Sequence, residues 1–410
     1  MRLGAGRGLI PNQGTRRVAR SRTIVIAGAG IGGLTAALAL TRAGYRVVII
    51  EQARRLEETG AGIQLSPNAT HVLAGLGFTE RLRPHVVAPE AIRIIKASTG
   101  RDIARIPLGA EAERRYGAPY WVIHRADLQG VLAAAIEESA DITLRLRARV
   151  EDFAVHQHGI TVQTRTAEGM RDEQGMALIG ADGLWSTLRA RLGDRQAPRS
   201  AHRTAWRAVV PAERVAADLR EPVTGLWLGR DAHLVHYPVK AGTMINIVAI
   251  VRDDWHGEGW TAPGKPSDLL PRFAGFAPAA RALLELPESW QKWALFDRAP
   301  LRVRAQGPAA LLGDAAHPML PFLAQGGAMA IEDAAVLARC LEQSDEPVPA
   351  LRAYEHARAA RAARAQREAR RNSWRYHLSG PLAFGRDMVL RGMGGERLLH
   401  RYDWLYDWKP

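Results

Sequence analysis

Residues 23–51 limit what this chain can become more than any other stretch. TIVIAG is a short β-branched run, Gly28-Ala29-Gly30-Ile31-Gly32-Gly33 follows at its end, residues 32–43 carry a helical pattern closed by Gly44, and RVVIIE reads as a second buried strand. Glycines at these spacings allow a tight turn, a close approach of backbone to a pyrophosphate, and close packing of helix on strand. The order strand, turn, helix, strand suits a right-handed parallel crossover. Glu51, 18 residues beyond Gly33, ends the second strand where a carboxylate can accept both hydroxyls of a ribose. A dinucleotide site on Gly28, Gly30, Gly33 and Glu51 is therefore expected, with FAD and NAD both open at this point.

Two later strand ends carry polar residues in a comparable way. Leu178-Ile179-Gly180-Ala181-Asp182-Gly183 leads to Ser186 and a helix expected to begin near Thr187, although an Asp-Gly pair by itself marks only a turn. Leu311-Leu312-Gly313-Asp314 runs through His317 and Pro321 to Gly326-Gly327-Ala328, the start of a helix over 326–342. The free amides and positive dipole end of that helix could face an anion. His317, followed by proline after the Gly-Asp turn, reads as a structural hydrogen-bonding residue rather than a base.

Between these motifs, residues 66–83 predict one helix with Ser66 as its cap, and 126–139 another. Strand-like alternation occupies 142–165. Residues 203–251 alternate or run apolar between glycine-containing gaps, which predicts an antiparallel sheet, and a loop-rich stretch follows it. The expected fold is α/β: a Rossmann-like nucleotide-binding domain, an antiparallel-sheet substrate domain and C-terminal helices. Its expected division is a basic arm at 1–22; a discontinuous nucleotide-binding domain of 23–87, 111–195 and 299–345; a substrate domain of 88–110 and 196–298; and a helical region at 346–410.

The net charge of +14 raises the question of a nucleic-acid partner. Residues 1–22 and 352–375 each carry a net +6, so the rest of the chain is close to balance. Solvated charge is the expected reading, including a basic stripe of Arg358, Arg361 and Arg364 on an alanine-rich surface helix over 350–376. The Arg16-Arg17 pair precedes an apolar run as in an export signal, but that run is the fingerprint strand. A single cysteine, Cys340, rules out an internal disulfide and any Cys-x-x-Cys site, which points to a cytoplasmic location and to redox chemistry on a bound cofactor. Neither membrane insertion nor a metal site is expected, and the chain is expected to be a monomer or homodimer.

Taken with GAGIQLSPNA at 60–69, HRADL at 124–128, GADGLWSTLR at 180–189 and GDAAHPMLPFLAQGGAMAIEDA at 313–334, the sequence resembles the single-component flavoprotein aromatic hydroxylases over about residues 23–378. The ending RYDWLYDW at 401–408 is similar to the salicylate hydroxylase group. The resemblance implies bound FAD, with NADH or NADPH and O2 as co-substrates and a flavin C4a-hydroperoxide as the hydroxylating species. It also implies that Glu51 holds the adenosine ribose, Arg125 the phosphate or ribose side, Asp182 the pyrophosphate region and Asp314 the ribitol. Pro321 and Gly326, Gly327 and Ala328 would then lie against the isoalloxazine. The substrate implied is a small phenolic aromatic acid, salicylate first, with 3-hydroxybenzoate, 6-hydroxynicotinate, a quinolone or urate as alternatives.

His233 and Tyr237, four apart in AHLVHYPV, would share one face of a strand with Val235, while Leu234 and His236 face the other way. Similar enzymes carry such a His and Tyr, which the resemblance assigns to the substrate; histidine also suits the removal of a phenolic proton. Arg207 and Arg230 are the candidates for a substrate carboxylate.

Overall fold

The computed structural model describes residues 22–56, 61–157, 159–257, 259–301 and 305–410; apart from Arg22, the basic arm lies outside them. The fingerprint strand Thr23–Ala27 sits inside a six-stranded sheet, between Arg46–Ile50 and Ala177–Gly180. Ile142–Arg145 extends the sheet beyond Arg46–Ile50, and Ala309–Leu311 extends it beyond Ala177–Gly180. These five strands are parallel, and the short Ala305–Gln306 closes the far edge antiparallel. Parallel order follows from the helical crossovers, and the central strands are largely apolar because helices cover one face of the sheet while the strands Arg149–His156 and Gly159–Thr166 pack on the other. All three dinucleotide-type strand ends, at Gly28, Ala181 and Gly313, thereby arrive at the same edge.

A second sheet of eight strands stands beside the first. It runs Thr261–Gly264, Trp290–Asp297, Arg199–Pro211, Met244–Arg252, Ala232–Val239, Val223–Leu228, Ala91–Lys96, Asp102–Pro107, antiparallel except where Val223–Leu228 meets Ala91–Lys96. Trp290–Asp297 lies in the stretch expected to be loop-rich. Its mixture of Gln291, Lys292 and tryptophans conceals a strand that is stabilised by pairing with Arg199–Pro211.

The helix at Gly326–Glu342 keeps its sequence-derived bounds, and that of the fingerprint, Ile31–Arg42, lies against it in one core. The helix expected over 66–83 divides into Pro67–Gly75 and Thr79–Leu82, and Ser66 does not cap it with its side chain. Its hydroxyl instead donates to Asn68 Oδ1 at 2.6 Å.

The long helix Pro347–Tyr376 corrects the expectation of a solvated basic stripe at two of its three arginines. Arg358 is fully buried and gives Nε to Asp333 and one terminal nitrogen to Glu332, each at 2.6 Å. Arg361 binds Glu332 too, and donates to the carbonyls of Trp404 and Leu405 at 2.6 and 2.8 Å. Residues three apart lie on one helix face, and its first two arginines meet acids inside the protein, whereas Arg364 is exposed, with its guanidinium 3.9 Å from the ring of Trp404. His317 joins the same cluster through Nε2 at 2.5 Å from Asp333 Oδ2, in the structural role expected of it.

Candidate active site

Where the two sheets meet, a cleft of about 330 Å3 runs from Gly30 past Asp314 to Gly326 and Gly327 on one side, with His233, Val235 and Tyr237 on the other. Gly30 lines it with open space where a side chain would project, as a backbone that must lie against a ligand requires. Gly28 and Gly33 do not line the cleft; a side chain at either would strike neighbouring backbone, so they set the turn and its packing. Glu51 accepts from the amide nitrogens of Ala29 and Ala53 at 2.7 and 2.8 Å, which ties it to the glycine turn. Asp182 uses one oxygen to cap the helix Thr187–Arg191, accepting from the amides of Thr187 and Leu188 at 2.8 and 3.2 Å. Its second oxygen is buried without a partner among the described residues.

Asp314 and Arg125 both border the cleft. Asp314 touches solvent within it but is walled by protein, and desolvation raises its carboxyl above the usual range against the pull of His317 and Arg125. Burial lowers Arg125, with Asp314 opposing the shift. Pro321 lies at the mouth between this cleft and a larger cavity of about 770 Å3 under the C-terminal helices. Gly326 and Gly327 present the start of a 17-residue helix to the cleft, while Ala328 turns its methyl into the core.

The opposite side of the cleft is set by register. Alternation in Ala232–Val239 sends His233, Val235 and Tyr237 into the cleft and buries His236 on the other side, where it accepts from Trp227 Nε1 at 3.1 Å. Across the neighbouring strands, Val235 pairs with Val248 and Val248 with Arg207, while Ile250 is opposite His233 and Asn246 opposite Tyr237. Arg207 therefore lies two strands away, level with a point midway between His233 and Tyr237. From strand spacings its Cα is about 12 Å from that of His233. Arg207 is in the cleft, its Nε is buried without a hydrogen-bond partner among the described residues, and burial with the nearby Arg125 pulls its guanidinium down to about 10. Arg230 is exposed beside Asp231 and does not reach the cleft.

His233 is 2% exposed, and burial, His377 and Arg203 hold it well below its ordinary pKa of 6.5. Burial raises Tyr237, so it remains a neutral donor near pH 7. Its ring lies so close to the Gly62 backbone that a side chain there would overlap it. Gly62, Gln64, Asn246 and His377 were not singled out individually from sequence. Gln64 alternates with Ile63 in a strand only four residues long, and neither Asn246 nor His377 sits in a motif. Their nearness is set by pairing between distant segments.

These features define a nucleotide-binding flavoprotein fold, and the sequence matches the family described as FAD binding domain over residues 21–369, to which the chain belongs as an FAD-dependent aromatic hydroxylase. The glycine turn, the open space at Gly30 and the unpartnered oxygen of Asp182 fit an elongated dinucleotide along the cleft. Among curated proteins, the chain is 38% identical to 3-hydroxybenzoate 6-hydroxylase 1 of Aquipseudomonas alcaligenes, over 93% of this chain and 97% of that one. Among solved structures, it resembles a salicylate hydroxylase substrate complex, at a TM-score of 0.79 and 26% identity over 94% of this chain and 95% of the other. It also resembles Klebsiella pneumoniae HpxO complexed with FAD and uric acid, at 0.82 and 26% over 92% and 95%.

Proposed function

We propose that the chain hydroxylates a small phenolic acid, using FAD and NAD(P)H, with the phenol at His233 and the carboxylate at Arg207. One observation carries this reading. A buried neutral histidine and a guanidinium whose buried Nε has no partner among the described residues share one sheet face, at a separation that a hydroxybenzoate can bridge between their side chains. The relative at 38% identity favours 3-hydroxybenzoate over salicylate as the first candidate.

Gly30, Glu51, Arg125, Asp182, Asp314 and the helix start at Gly326 would hold the flavin, which supplies electron transfer from the nicotinamide and activation of O2. The chain supplies the rest. Arg207 fixes the ring's orientation through its carboxylate. His233 takes the phenolic proton, which makes the ring electron-rich where oxygen is added. Tyr237 and Val235 bound the ring between these contacts, and the apolar walls Val248 and Ile250 limit water.

The test is NADH and NADPH oxidation by purified protein with 3-hydroxybenzoate, salicylate, 6-hydroxynicotinate and urate, with product identified by chromatography. Hydroxylated product from 3-hydroxybenzoate, in step with nicotinamide oxidation, is the expected result. Catechol from salicylate would move the assignment to the second candidate. Stimulated oxidation with no hydroxylated product from any phenolic acid would refute the reading.

A further inference from the structure

His377 follows the last residue of the long helix, 144 residues from His233, yet its Nε2 lies 2.9 Å from His233 Nδ1. Its own Nδ1 is 2.6 Å from the Ser373 carbonyl. A carbonyl only accepts, so the hydrogen of a neutral His377 is on Nδ1 and its lone pair on Nε2. That lone pair accepts from Nδ1–H of His233, which leaves the lone pair of His233 on Nε2. The Ser373 carbonyl thus sets both tautomers from one end. His233 Nε2 has no hydrogen-bond partner among the described residues, and His233 borders both cavities.

We propose that His377 is a positioning and relay residue that presents His233 Nε2 to the substrate hydroxyl and takes over the proton that His233 removes. This rests on the reading of His233 as the base for a phenolic substrate. The substrate O–H bond breaks and an N–H bond forms at His233 Nε2. The Nδ1–H bond of His233 breaks in turn, and an N–H bond forms at His377 Nε2. His377 is left as an imidazolium, from which water receives the proton.

The surroundings favour outward transfer. His377 is 9% exposed against 2% for His233, and it caps the C-terminus of a 30-residue helix, whose dipole stabilises positive charge. Asp231, just before the His233 strand, favours charge on His377, whereas Arg203 on Arg199–Pro211 and Arg386 on Gly380–Met393 oppose it. Burial with Arg203 places His377 at about 4, so both histidines rest neutral and hold charge only in passing. The rings of Phe322 and Tyr376 flank His233, with centroids at 5.4 and 5.5 Å, and offer it no competing base.

The experiment follows ionisation of bound 3-hydroxybenzoate by its ultraviolet absorbance in oxidised, FAD-loaded protein, across pH and in mixtures of H2O and D2O. In the unsubstituted protein the rate is expected to bend with deuterium fraction, as two moving protons require. His377→Phe, which has no acceptor, and His377→Gln, which accepts but cannot pass a proton on, are expected to slow ionisation at least about tenfold and to straighten the dependence. Unchanged rate and curvature in flavin-replete variants would overturn the relay alone. Absence of ionisation and of hydroxylation for every phenolic acid in the unsubstituted protein would instead bring down the functional reading and the relay together. A readout free of variants is the 15N shifts of the two imidazoles at pH 7: hydrogen on Nδ1 of both is required, and hydrogen on His233 Nε2 refutes the proposal.

Discussion

His233 and Arg207 occupy opposite corners of one sheet face, so their contributions can be separated. His233→Ala is expected to keep bound flavin but lower hydroxylation by about 100- to 10,000-fold, the usual span for a positioned acid or base. The check is product formation against NADH consumption, since a variant that lacks only the base should still oxidise NADH. Arg207→Ala should cost about 2–3 kcal/mol of binding, roughly 30- to 150-fold in KM, for a phenolic carboxylate. A neutral phenol of the same size should be affected far less. Equal losses for both ligands would show that Arg207 supports the fold and not the carboxylate.

The helix Gly326–Glu342 has two duties. Its first turn faces the cleft, and Glu332 and Asp333 on its inner side bind Arg358, Arg361 and His317. Removing one partner of such a buried cluster leaves uncompensated charge, so Arg358→Met is expected to destabilise by about 3–5 kcal/mol. Urea unfolding of the FAD-free protein measures this, and a change below about 1 kcal/mol would mean that the cluster has little energetic weight. The helix itself was legible in sequence because a glycine pair opens it and its apolar period is regular. The direction of the arginines on Pro347–Tyr376 was not, since charge count carries no information about which acids lie opposite. The parallel sheet around Gly28 was readable for the same local reasons. Arg207 could be named only as one of two candidates because its place depends on the register of three strands, and His377 has no local signal at all.

The buried histidines make the fold as a whole sensitive to acid. His236 and His377 are each held at about 4 and His233 well below 6.5, in every case mainly by burial. The unfolded chain, with histidines near 6.5, binds more protons than the folded one as pH falls from there to about 4. Their contribution to stability is therefore complete above pH 6.5 and declines below it, by up to roughly 1.4 kcal/mol per pH unit for each histidine. The urea midpoint should be level from pH 8 to about 7 and fall steeply toward pH 5. A level midpoint down to pH 5 would contradict the burial of all three.

The bonds from Arg361 to the Trp404 and Leu405 carbonyls give the end of the chain a mechanical meaning. The same guanidinium holds Glu332, two turns along the helix that opens onto the cleft, and the ring of Trp408 lies 5.4 Å from it. A load applied through the last residues, such as a fused partner or a surface tether, reaches the wall of the cleft through this side chain, while Arg115 and Tyr116, both bonded to Asp403, share it with the neighbouring helix. An attachment anywhere on the exposed turns of the eight-stranded sheet would leave that line slack.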